Sequence, residues 1–158
     1  MSLTIAAARP EDTALILRFI QALAGYEKLS SACVATEETL RASLFGERAY
    51  AEVLIARWQG EPAGFALFFH NYSTFLARPG IYLEDLFVEP RFRGHGMGKA
   101  LLAQVARLAN ERGCGRVEWS VLDWNQPAID FYRRMGATAQ DEWTVYRLTG
   151  AALAAYGR

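Results

Sequence analysis

Twelve residues constrain this chain more than any others: Val88-Glu89-Pro90-Arg91-Phe92-Arg93-Gly94-His95-Gly96-Met97-Gly98-Lys99. An apolar, strand-like run ends at Val88, Pro90 stops it, and the longest amphipathic stretch of the chain begins at about Gly96. Three alternating glycines let the backbone approach a ligand closely, with amides turned inward and the positive end of a helix dipole behind them. Arg91, Arg93 and Lys99 add charge. Physically this is a phosphate or pyrophosphate cradle, and it requires a fold with both strands and helices. Two familiar cradles fail against it. A dinucleotide fingerprint needs a third glycine where Lys99 stands. A Walker loop needs Ser or Thr where Ala100 stands, and glycine where Arg93 stands.

The rest of the chain alternates in type around this loop. Residues 3–8 read as a strand, and Pro10-Glu11-Asp12 start a helix whose stripe is Leu15, Phe19, Ile20 and Leu23, ending at Gly25. Thr36 is an N-cap for a second helix reaching about Leu44. Residues 50–57 and 63–72 form a hairpin around Gln59-Gly60-Glu61-Pro62, and 81–88 is the next strand. A helix over 96–112 carries Met97, Leu101, Val105, Leu108 and Ala109 on one face, with Gly113 past its end. Residues 116–122 read as a strand, Asn125-Gln126-Pro127 open a helix through Arg134, 142–148 are a last strand, and 151–156 a helical turn. The order β-α-α-β-β-β-α-β-α-β predicts one α/β (α+β mixed) domain over residues 1–158. Its centre is a mixed, mostly antiparallel sheet flanked by helices. A helical bundle and a β-sandwich are excluded.

Composition narrows the function. The 158 residues are 52% hydrophobic and 22% charged, which sets aside disorder. Lysine and arginine number 17, as do aspartate and glutamate, so no basic excess supports a nucleic-acid or acidic-membrane binder. Cys33 and Cys114 match no metal spacing, and no metal site is expected. Cys114, at a helix-to-strand turn, is expected to be buried. Met1-Ser2-Leu3-Thr4-Ile5 has neither the basic start nor the apolar stretch of an export signal, and no run approaches a membrane span. A cytoplasmic location is the expectation. His70, toward a strand end, and His95, inside the loop, have no evident nucleophile partner, so a catalytic triad is not expected.

Arg91-x-x-Gly94-x-Gly96, placed after Leu86-Phe87-Val88 and before a helix, resembles the acetyl-CoA signature of the GCN5-related N-acetyltransferases. The segment Asn125-Gln126-Pro127-Ala128-Ile129-Asp130-Phe131-Tyr132-Arg133-Arg134-Met135-Gly136 resembles that family's asparagine-led helix carrying a tyrosine. Tyr82-Leu83-Glu84-Asp85, Val121-Leu122-Asp123-Trp124-Asn125-Gln126 and Tyr26-Glu27-Lys28-Leu29 resemble the diamine acetyltransferase branch, which includes the spermidine/spermine and thialysine acetyltransferases. The likeness covers nearly the whole chain and is loosest after Gly136.

That resemblance implies acetyl-CoA as cofactor, a small amine as substrate and a homodimer. It implies that main-chain groups of Leu86, Phe87 and Val88 pair with the pantetheine arm. Arg93 and the loop of Gly94, His95, Gly96, Met97, Gly98 and Lys99 would hold the pyrophosphate, with Asn125 and Ala128 lining the far side of the cofactor. Tyr132 would be the general acid for the coenzyme A thiolate, and Glu84 would contact the amine and relay its proton through water. Tyr26, Glu27, Glu84, Asp85 and Glu142 are candidates for an acidic substrate site. By simple alternation Glu84 shares a face with Tyr82 and Leu86, and Asp85 with Leu83 and Phe87. Tyr72, Phe75 and Leu76 fit a contact surface. Three other readings stay open: an acetyltransferase of another amine (a protein N-terminus, an antibiotic or another metabolite), a non-catalytic coenzyme A-binding module, and a nucleotide-binding module.

Overall fold

The computed structural model describes residues 2–157. Its elements are β1 (Leu3–Ala7), α1 (Thr13–Tyr26), α2 (Glu37–Phe45), β2 (Glu52–Trp58), β3 (Glu61–Ser73), β4 (Arg78–Val88), α3 (Met97–Glu111), β5 (Val117–Glu118), α4 (Gln126–Arg134) and α5 (Gly150–Ala154). Two compact units result, one running through Leu122 and one beginning at Asp123.

The first unit holds a five-stranded sheet in the order β1-β2-β3-β4-β5. The first four strands pair antiparallel, and β5 joins β4 in parallel. The fold is therefore α/β with a mixed, mostly antiparallel sheet. Period-two alternation sorts its side chains. Val53, Ile55, Phe65, Leu67 and Phe87 meet Ile16, Phe19 and Leu23 of α1 and Leu44 of α2. Phe19 stacks on Phe65 with ring centroids 5.4 Å apart. Buried Leu54, Ala56, Ala66, Phe68, Ile81 and Leu83 face the other way. Helix α3 covers them with Met97, Leu101, Leu102, Val105 and Ala109.

Local chemistry sets the helix ends. The Thr36 side chain accepts from the Thr39 amide and starts α2. Pro10–Asp12 form a 3-10 turn, and α1 proper begins at Thr13 and runs past Gly25 to Tyr26. Gly64 is fixed by a close approach: a Cβ there would lie 2.4 Å from the Phe87 carbonyl oxygen.

Two expected strands differ. Residues 116–122 contribute only Val117–Glu118 to the sheet, paired with Ile81 and Tyr82. The register of β3 on β4 explains this. Leu67 faces Asp85 but Phe68 faces Leu83, so Glu84 is the extra residue of a β-bulge. A bulge bends and twists its strand, and here the parallel ladder ends just before it. The second unit has α4 and α5 but, among the described residues, no strand. Residues 142–148 lack the expected ladder, and every described residue from Thr138 on is exposed. Strand-forming residues such as Trp143, Val145 and Tyr146 need a neighbouring strand and a face to bury, and their unit supplies neither. No described helix is long and apolar enough to cross a membrane.

Candidate active site

Strand β4 builds the site because it changes character at Glu84. At Ile81 and Tyr82 it pairs with β3 on one side and β5 on the other; among the described residues, Leu83 and Asp85 to Val88 pair with β3 alone. Among the described residues, one backbone edge of Leu86, Phe87 and Val88 therefore faces no strand. Such an edge can pair with an extended amide-bearing chain, as an added strand would.

The bulge also corrects the expected alternation. Asp85 stands with Tyr82 and Phe87 on the α1 side of the sheet, while Leu83 points to the α3 side. Asp85 is thereby turned, half-buried, toward the end of α1 where Glu27 lies. Burial, with the charges of Glu84 and Glu27 behind it, pushes the Asp85 carboxyl from 3.8 up to about 7. Glu27, half-buried, is also raised, first by burial and then by Glu84. Glu84 is exposed. Three of the expected acidic residues thus form one electrostatic cluster in a chain of zero net charge. Tyr26 borders it, 39% exposed. The fourth candidate, Glu142, lies exposed in the second unit.

After Val88 the chain makes a short 3-10 turn, Pro90–Phe92, and reaches the glycine loop. Gly94 and Gly96 have φ of +88° and +75°, the left-handed region that favours glycine. Beyond each glycine's own chain neighbours, no heavy atom of the described residues lies within 4 Å of where a Cβ on either would sit. Gly96 is the N-cap of the 15-residue α3, so the amides of Met97, Gly98 and Lys99 form its first turn. The backbone donors, the positive helix end and the open space beside both glycines fit a pyrophosphate. His95 is exposed, and its ring stacks on Trp58 at 4.3 Å.

The two arginines of the loop part company. Arg91 is tied to Glu61 at 3.2 Å and Glu89 at 3.7 Å, which neutralises it away from the cradle. Arg93 donates from Nε to the Val88 carbonyl oxygen at 3.0 Å and lies over the Tyr26 ring, 5.2 Å from its centroid. The spacing read from Arg91 to Gly94 and Gly96 recurs from Arg93 to Gly96 and Gly98, and only Arg93 reaches the site's own residues.

In the second unit, buried Asn125 caps α4 by accepting from the Ala128 amide at 3.4 Å, and Gln126 donates to Asp130 at 2.7 Å. Tyr132 is half-buried, its ring 5.5 Å from that of Phe131. Outside these groups, Cys114 is buried and unpaired as expected. His70 Nε2 lies 3.3 Å from Arg112, which holds Glu52 bidentately at 2.7 and 2.9 Å. Sequence reasoning missed the bulge and the Arg93–Tyr26 and Trp58–His95 contacts. All three arise from tertiary register and leave no trace in residue spacing.

The sequence model of the Acetyltransferase (GNAT) family matches residues 20–137. A thialysine N-epsilon-acetyltransferase of Sus scrofa is 40% identical, over 96% of this chain and 95% of that protein. An L-ornithine N5-acetyltransferase of Arabidopsis thaliana is 36% identical, over 94% of this chain and 85% of that protein. Among solved structures, an integron cassette protein from the mobile metagenome of V. cholerae superposes with a TM-score of 0.84 at 26% identity, covering 100% of this chain and 99% of that one. With the glycine cradle, the one-sided strand and the capped tyrosine helix already in view, these matches settle the lineage: the chain is an N-acetyltransferase belonging to the GNAT family, in its diamine acetyltransferase branch.

Proposed function

We propose that residues 1–158 act as one acetyltransferase domain that moves the acetyl group of acetyl-CoA to a primary amine of a small diamine, polyamine or thialysine-like amino acid. Attack is direct, within a ternary complex. The observation that carries this reading is the meeting of three carboxylates, Glu84 and Asp85 on β4 and Glu27 at the end of α1, beside the open backbone edge of Leu86–Val88. The relatives named for thialysine and ornithine acetylation support an amine borne on a short cationic chain.

Acetyl-CoA supplies an activated acetyl thioester. The edge of Leu86, Phe87 and Val88 would pair with its pantetheine arm, and an amide there would polarise the thioester carbonyl. Amides from Gly94 to Lys99 would hold its pyrophosphate. Exposed Glu84 would bind the incoming ammonium. An ammonium cannot attack until it loses a proton, and a carboxyl at about 7 accepts one at neutral pH. Asp85 therefore takes the proton-accepting role, directly or through water, and Tyr26 and Glu27 hold the substrate's remaining charge. Tyr132 would return a proton to the departing thiolate. Asn125 and Ala128 would line the cofactor's far side, a role compatible with Asn125 also capping α4.

The cytoplasm, which supplies acetyl-CoA and keeps Cys33 and Cys114 reduced, is the location this chemistry fits. Exposed Tyr72, Phe75 and Leu76 support a homodimer, which sedimentation velocity would test. The test of the cofactor assignment is competition for the cradle. Coenzyme A should displace bound acetyl-CoA while ATP and NAD do not. Equal displacement by ATP would refute the reading and favour a general nucleotide module.

A further inference from the structure

Arg93 joins two parts of the site, Val88 and Tyr26, that lie far apart in the sequence. Its Nε donates to the carbonyl of Val88, the last residue of the open strand edge. Its guanidinium plane lies over the ring of Tyr26, the last residue of α1, and 5.8 Å from the ring of Phe87. Tyr26 leads directly into Glu27, whose charge reaches Asp85, and into Lys28, held at φ 62°. Backbone bonds from Lys28 to Gly25 and from Leu29 to Ala24 close that turn, so where Tyr26 goes Glu27 follows. A guanidinium has five N–H donors, and the Val88 bond uses one, leaving four for an anion on the adjoining glycine loop.

We propose that Arg93 is a positioning residue that couples cofactor binding to amine binding: through Tyr26 it holds the acidic turn at Glu27 in register with the strand end at Val88. The proposal rests on the acetyltransferase reading above and adds a linkage to it. A cation that contacts both sites makes occupation of either one favour the other, and such coupling is reciprocal. Arg91 serves as an internal contrast, since its two carboxylate partners tie it to Glu61 at the start of β3 and to Glu89.

Calorimetric titration with coenzyme A tests this on the intact chain and on Tyr26→Phe, Tyr26→Leu, Arg93→Gln and the Arg93→Gln/Tyr26→Leu pair. Tyr26 is 39% exposed and ends its helix, so its replacement should leave the fold intact, which thermal melts would verify. Tyr26→Leu should weaken coenzyme A about three- to fivefold, the value of one exposed cation–π contact. Tyr26→Phe should bind coenzyme A more tightly than Tyr26→Leu, because it keeps the ring that lies beneath the Arg93 guanidinium. In the Arg93→Gln background Tyr26→Leu should cost nothing further. With amine present, Tyr26→Leu should raise KM for the amine more than it lowers kcat. Additive effects in the pair, or coenzyme A binding indifferent to Tyr26, would overturn the coupling alone. A native chain that binds no coenzyme A would overturn the acetyltransferase reading and the coupling together.

Discussion

Replacing Asp85 with asparagine should stabilise the protein at neutral pH while disabling it. The native carboxyl is raised from 3.8 to about 7, chiefly by burial and then by Glu84 and Glu27. Between those values the folded chain keeps a proton that the unfolded chain has lost, so this group's contribution to stability falls as pH rises from about 4 to about 7 and is flat above. A carboxyl raised from 3.8 to about 7 corresponds to about 4 kcal/mol. Water and side-chain relaxation around a half-buried group reduce that to about 2 kcal/mol. Asparagine has the same shape and no charge to bury. The Asp85→Asn melting temperature should therefore match the native one near pH 4 and exceed it by about 4–8 °C at pH 8. Thermal melts of both proteins from pH 4 to 9 measure this directly. Over the same range kcat at pH 8 should fall by about 100-fold in the variant. Parallel melting curves, or a variant less stable than the native chain at pH 8, would refute the claim that Asp85 sits in a like-charged, desolvated cluster.

Four further outcomes follow from the geometry. Tyr132→Phe should lower kcat about 100-fold while calorimetry finds coenzyme A affinity unchanged. Gly96→Ala should strain the left-handed N-cap of α3 by about 1–2 kcal/mol, read as a lower melting temperature together with weaker coenzyme A binding. Gly64→Ala drives a methyl into the Phe87 carbonyl and should destabilise the β3–β4 pair, seen as faster amide exchange at Phe87 and Val88. Thr36→Ala removes the α2 cap and should cost about 1 kcal/mol in urea denaturation with no change in turnover.

Much of this protein can be read from residue order. The glycine loop between a strand and a long helix appears where expected, because glycine at positive φ and a helix N-terminus are local properties. The same holds for Thr36 and Asn125 as caps. What the residue order hides is set by strand register. Alternation from Tyr82 to Phe87 assigns Asp85 the face of Leu83, and a single bulge residue at Glu84 reverses that. The bulge brings Asp85 toward Glu27 and raises its carboxyl, so the acid with the most altered chemistry is one that spacing ranks behind Glu84. Residues 142–148 fail for a related reason: their side chains favour a strand, but a strand exists only beside another. Arg91 and Arg93 show the same limit, since each stands three and five residues before a pair of glycines and only the fold gives one to Glu61 and the other to Tyr26.

The central claim is tested most directly by following thiol release from acetyl-CoA across spermidine, putrescine, thialysine, ornithine, lysine and a peptide N-terminus. The account predicts turnover with one or more of the short cationic amines, little with the peptide, and its loss in Asp85→Asn. Turnover confined to the peptide, or no turnover with any amine by a chain that binds coenzyme A tightly, would contradict it.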